Sequence, residues 1–122
     1  MNAAQLEKIV VAALEDIKGK NIEVINTAKL TPLFERIVIV SGDSNRQVRS
    51  LARSVEDKVR EAGGEILSTE GEDGGEWVLV DLGDVVVHIM QPAIRSYYNL
   101  EELWGAAPAR PGRPGAFSAH AA

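Results

Sequence analysis

The chain has 122 residues, 45% of them apolar and 25% charged, with no cysteine and a formal net charge of -5. That is the size and make-up of one globular domain able to bury a core unaided, and it excludes a disulfide framework and a thiolate metal site. Residues 106–122 hold Arg110 and Arg113 and no acid; without them 11 basic and 18 acidic groups remain, a balance near -7. Such a domain is repelled by nucleic acid at long range and drawn to basic protein surfaces, unless the charge serves only solubility. No window approaches the roughly 18 uninterrupted apolar residues of a membrane span. The opening segment MNAAQLEKIVVAALEDIKGK carries acids and lysines throughout, unlike a signal peptide. A cytoplasmic protein is the expectation.

Leu6, Ile9, Val10, Ala13, Leu14 and Ile17 fall at helical spacing, which predicts an amphipathic helix over 3–18 with Gly19 as its C-terminal cap. Ile22 to Asn26 reads as a short strand, Thr31-Pro32 as a bend, and Arg36 to Val40 as a buried strand. Ser41-Gly42-Asp43-Ser44 then turns the chain into a second helix, capped by Asp43 or Ser44. Val48, Leu51, Ala52, Val55, Val59 and Ala62 form its apolar stripe, and Gly63-Gly64 stops it. Glu65 to Thr69 is a weaker strand, and Glu70 to Gly75 an acidic, glycine-rich loop. Trp77 to Leu82 and Val85 to Met90 are strands joined by a tight turn containing Gly83. Pro92 suits the first turn of a last helix running to about Asn99, with Leu100 to Trp104 extending it or forming a separate turn. The order α-β-β-α-β-β-β-α, with one crossover helix and a three-strand meander, predicts an α/β domain over residues 1–105: a mixed sheet with helices packed on it. Residues 106–122 are Pro/Gly/Ala-rich with almost nothing to bury, a composition that predicts disorder.

Chemistry has few places to sit. Asp81 and Asp84 bracket the Gly83 turn and could hold Mg²⁺ with His88 as a third ligand, as in a Mg-dependent nucleotidyltransferase-like enzyme. Aspartate also simply favours turns, and one imidazole is too little for zinc. Gly42 to Arg46 stands where a helix N-terminus could hold an anion, but it has a single glycine and an acid, and helix capping explains it. No serine has a nucleophile-elbow setting. Arg46, Arg49 and Arg53 share one helix face, either as an ordinary solvated face or as a local contact with RNA backbone. No metal, no cofactor and no catalytic residue set is expected.

The hairpin is sided. If Leu82-Gly83 is a two-residue turn, Asp81 faces Asp84, Leu79 faces Val86 and Trp77 faces His88. One face is then Val78, Val80, Val85, Val87 and Ile89, suited to a core. The other carries Trp77, Leu79, Asp81, Asp84, Val86, His88 and Met90. That mixture suits a protein-binding patch. Periodicity alone is equally compatible with a face covered by a helix of the same chain.

The run Gly75-Glu-Trp-Val-Leu-Val-Asp-Leu-Gly-Asp-Val-Val-Val-His-Ile-Met-Gln91 resembles the signature of the ribosomal silencing factor, or Iojap-like, family. Ser41-Gly-Asp-Ser-Asn-Arg46 is similar to its strand-to-helix turn, and Tyr97-Tyr-Asn-Leu-Glu-Glu-Leu-Trp104 to its C-terminal motif. Gly63 and Glu70-Gly71 also fall in place, so the resemblance spans about Leu6 to Trp104. It departs at Thr31-Pro32, where many members have Thr-Asp, and in the tail. The resemblance implies a nucleotidyltransferase-like α/β fold without that fold's catalysis. It implies binding to the large ribosomal subunit through its protein uL-fourteen, steric blocking of subunit joining, and lowered translation when nutrients are scarce. It also implies homodimers of the free protein. On the matching positions, Trp77, Asp81, Gly83, Asp84, His88, Met90 and Tyr98 contact or shape the contact, with Leu79 and Val86 beside them on the same face. The segment Glu65 to Asp84, with seven acids and no base, suits a basic ribosomal protein.

Overall fold

The computed structural model describes residues 1–104. The predicted tail, 106–122, lies outside them.

Helix α1 (Ala3–Asp16) opens with a capping box: Asn2 accepts from the Gln5 backbone at 2.8 Å, and the Gln5 side chain accepts from Asn2 N–H at 3.0 Å. It ends two residues earlier than the apolar spacing predicts. Lys18, not Gly19, takes the left-handed conformation at φ 61. Gly19 N–H bonds back to Leu14 and Lys18 N–H to Glu15, closing a Schellman motif. Gly19 is required for space instead: a Cβ there would lie 2.6 Å from Val40 Cγ2.

Strands β1 (Lys20–Asn26) and β2 (Arg36–Ser41) pair antiparallel, with an irregularity between Lys20 and Glu23. The loop between them is pinned by buried Thr27, whose hydroxyl donates to the Phe34 carbonyl at 3.1 Å. Helix α2 (Asn45–Glu61) is capped by Ser44, which accepts from Gln47 N–H at 3.1 Å, and ends at Gly63 with φ +86. Strand β3 (Ser68–Glu70) is shorter than predicted, because Glu65 to Leu67 approaches the sheet without regular pairing. Strands β4 (Trp77–Asp81) and β5 (Val85–Met90) form the expected hairpin. Helix α3 (Pro92–Tyr98) is separated by left-handed Asn99 from a short α4 (Leu100–Leu103), so the last segment is a separate turn of helix.

The sheet runs β1-β2-β5-β4-β3, with β2 and β5 parallel and every other pair antiparallel, a mixed sheet as the element order predicts. One face is the main core. Val38, Val40, Val78, Val80, Val85, Val87 and Ile89 meet Leu6, Val10 and Leu14 of α1 and Val48, Leu51, Val55 and Val59 of α2. The opposite face holds a smaller core of Ile25, Ile37, Ile39 and Met90, roofed by Phe34, Ile94, Leu100 and Trp104.

The hairpin register differs from the expectation by one turn residue. Asp81 pairs with Val86, Leu79 with His88, and Trp77 with Met90. The turn is Gly83-Asp84, closed by Leu82 N–H to the Val85 carbonyl at 2.9 Å. Gly83 takes φ +89, which glycine adopts without a Cβ penalty. The Asp81 carboxylate fixes the choice by accepting from Gly83 N–H at 2.8 Å. Each cross-strand partner moves by two positions, so every paired strand residue keeps the predicted face, while Asp84 leaves the strand face for the turn.

Candidate functional site

The second face is covered only in part. At the β1–β2 side, the small core lies under Trp104, whose ring meets Phe34 edge-on at 5.4 Å. Toward β4 and β3 the roof stops and leaves a groove of about 570 Å³. Leu79, Val86 and His88 are in its lining, with Phe34, Leu100 and Trp104 on one side. Two strongly exposed leucines, Leu33 at 78% and Leu67 at 59%, also line it. Large apolar side chains left this open around a concavity mark a binding surface rather than ordinary surface scatter.

At the Met90 end of the hairpin, Trp77 contacts the rings of His88 and Tyr98. Its indole N–H donates to His88 Nδ1 at 3.0 Å, and its ring lies 4.8 Å from that of Tyr98, which Tyr97 meets edge-on at 5.0 Å. Trp77 and His88 are diagonal neighbours on one face, which brings their side chains within reach. Burial pushes the His88 pKa down to about 4, so the ring is neutral at physiological pH.

The predicted site residues divide by role. Leu79, Val86 and His88 line the groove with Asp81 and Gly83 at its end. Trp77 and Tyr98 form the adjoining aromatic cluster, and Asp84 is exposed at the turn. Met90 needs correction as a contact residue. It is 0% exposed, in the small core beneath the roof, and can shape the surface only from below.

The arginine stripe lies on α2, in the layer over the main core and not on the groove's face. Arg49 is engaged internally: it donates to the carbonyls of Glu72 and Asp73 at 2.8 and 2.7 Å, clamping the acidic loop. Arg46 and Arg53 are exposed.

The enzyme alternative places Mg²⁺ at Asp81 and Asp84, with His88 as a third ligand; the anion turn is a separate feature. Gly42 to Arg46 follows the C-terminal end of β2, whereas Asp81 and Asp84 flank the start of β5, which runs parallel to β2. The two features are separated by the length of the strands, roughly 17 Å. A Mg²⁺ ion binds its oxygen ligands at about 2 Å, so the turn cannot ligate an ion held by Asp81 and Asp84. Gln91 donates to Asn45 Oδ1 and to the Gly75 carbonyl, and Lys20 pairs with Asp43. Among the described residues no group of three or more His, Asp and Glu converges as a metal ion requires.

Sequence reasoning misses Arg95. It is buried, with Nε donating to Glu101 at 3.0 Å and a terminal nitrogen donating to Ser41 Oγ at 3.0 Å. It ties α3, α4 and the end of β2 together and so holds the roof. The usual i, i+4 spacing gives no hint, because Asn99 breaks the helix between the two charges. Leu33, Phe34 and Leu67 are missed as groove residues because they lie outside the alternating strand pattern; apolar side chains in otherwise polar connections are the signal that points to them.

The described residues thus form a mixed α/β domain with an open apolar groove beside an aromatic cluster. The family model described as "Ribosomal silencing factor during starvation" matches residues 1–120, and the chain belongs to that family. It is 56% identical to a ribosomal silencing factor of Chromobacterium violaceum, over 86% of each chain. It is 42% identical to one of Bacillus subtilis, over 88% of this chain and 92% of that one. The chloroplastic protein Iojap of Zea mays is 33% identical over 76% of this chain and 40% of its own length. Among solved structures, an X-ray structure of a Chromobacterium violaceum protein, 56% identical, superposes with a TM-score of 0.85 over 86% of this chain and 88% of that one. A Bacillus halodurans structure, 37% identical, gives 0.76 over 83% and 94%. Among the described residues no helix is long and apolar enough to cross a membrane.

Proposed function

We propose that the chain binds the large ribosomal subunit through its protein uL-fourteen and sterically blocks association with the small subunit, repressing translation in the cytoplasm. The action is occlusion, not catalysis. The observation that carries this reading is the partly covered second face: an apolar groove lined by Leu79, Val86 and His88, flanked by the Trp77–Tyr98 cluster. Seven acids between Glu65 and Asp84 complement a basic ribosomal protein, and charge of this kind speeds encounter more than it adds affinity. Tryptophan and tyrosine are common energetic anchors at protein interfaces.

Co-sedimentation with purified large subunits tests the placement. Trp77→Ala and Asp84→Lys are expected to abolish binding while circular dichroism shows an intact fold. Full binding by both folded variants would sink the assignment of this face.

A further inference from the structure

The groove is mostly aliphatic and aromatic, which gives its few polar groups unusual weight. One of them is the His88 ring. A neutral imidazole carries a single proton, on one nitrogen or the other. Nδ1 of His88 accepts the Trp77 indole N–H at 3.0 Å, and an indole nitrogen can only donate. Nδ1 therefore holds its lone pair, and the proton sits on Nε2. Trp77 is itself braced by the Tyr98 ring at 4.8 Å, so the group that selects the tautomer is held in place. Nε2 has no hydrogen-bond partner among the described residues, and the ring lines the groove beside its cross-strand neighbour Leu79. The result is a fixed N–H donor on an apolar surface.

We propose that His88 determines partner specificity in this groove: its Nε2–H donates to a backbone carbonyl or carboxamide oxygen on an otherwise apolar segment of the partner protein. This inference rests on the reading of the groove as the docking site. A partner lacking the acceptor would leave a donor buried and unpaired, a loss of about 1–3 kcal/mol or roughly ten- to hundredfold in affinity. A partner presenting another donor at this point is rejected for the same reason. Asp81, two cross-strand pairs further along the hairpin on the same face, presents an acceptor. The surface therefore reads polarity in a set order along its length.

The test uses the full chain and purified large ribosomal subunits at fixed salt. Long-range ¹H–¹⁵N NMR of the free protein near neutral pH is expected to show His88 with Nδ1 bare and Nε2 protonated. His88→Phe keeps an aromatic ring but removes both the Nε2 donor and the Nδ1 acceptor of the Trp77 indole, and is expected to weaken binding about tenfold or more. His88→Gln restores an oxygen for the indole and an N–H for the groove, and is expected to bind within about threefold of the parent. Leu79→Arg, which blocks the groove by bulk and charge, is expected to abolish binding. A ring protonated on Nδ1 overturns the proposal, whatever the variants do. So does equal weakening by His88→Phe and His88→Gln, which would make the ring a packing group, or no weakening by His88→Phe while Leu79→Arg abolishes binding. Retained binding by folded Leu79→Arg removes the groove reading itself.

Discussion

Trp77 and His88 bond across the hairpin without being opposite one another: Trp77 pairs with Met90 and His88 with Leu79, yet the indole N–H reaches His88 Nδ1 at 3.0 Å. The diagonal contact spends the histidine's acceptor within the protein. A protonated ring has no acceptor, so protonation must break this bond.

Stability should therefore depend on pH through His88. Its folded pKa of about 4 lies below the ordinary 6.5. Between these values the unfolded chain binds more protons than the folded one. The contribution is present in full above about pH 6.5 and is lost as pH falls toward about 4, amounting to roughly 3 kcal/mol. Urea unfolding near neutral pH and near pH 4 measures it. The pH-dependent loss should be smaller by about that amount in His88→Gln, which has nothing to titrate.

The Arg95–Glu101 pair predicts a strong non-additivity. Both side chains are largely withdrawn from water, at 10% and 19% exposed. Glu101→Leu alone leaves a buried guanidinium short of its counter-charge and should cost about 3 kcal/mol. Arg95→Met with Glu101→Leu should cost less than the sum of the single changes, with a coupling of about 1–3 kcal/mol in a double-mutant cycle.

Met90 and Leu79 lie on one face but should fail differently. Met90→Ala opens a cavity in the small core and is expected to cost about 2–5 kcal/mol in chemical denaturation. Leu79→Ala removes a partly buried side chain and should cost about 1 kcal/mol, while weakening ribosome binding more than its stability loss explains.

Gly71 has φ +88, and a Cβ there would fall 2.1 Å from the Trp77 carbonyl oxygen. Gly71→Ala combines a strained conformation with a backbone collision and should cost about 2 kcal/mol or more, read as a lowered Tm. Displacing the Trp77 backbone should also weaken the indole–imidazole bond, visible as a shift of the Trp77 indole N–H resonance.

Much of this architecture is legible in the sequence because burial imposes periodicity. The stripe from Val48 to Val59 and the alternation from Val78 to Ile89 lead directly to α2 and to the two faces of the hairpin. Register is less legible, since it hangs on which residues form the turn, and Asp81's bond to Gly83 N–H decides that. Periodicity also left open whether the second face is covered or exposed, and both conditions occur side by side. Met90 lies beneath the roof while Leu79 and His88 line the open groove. The boundary is set by left-handed Asn99 and by Arg95 reaching Glu101, neither of which has a local sequence pattern.

The edges of the sheet bear on how such a surface can exist without a partner. Edge strand β3 has only three residues, and β1 at the other edge is irregular between Lys20 and Glu23. Short or kinked edges are poor templates for a further strand, which limits sheet-to-sheet aggregation. The molecule can therefore display a sticky face without offering backbone on which a fibril could grow. Lengthening β3 into a regular edge beside the groove would be expected to trade solubility for no gain in recognition.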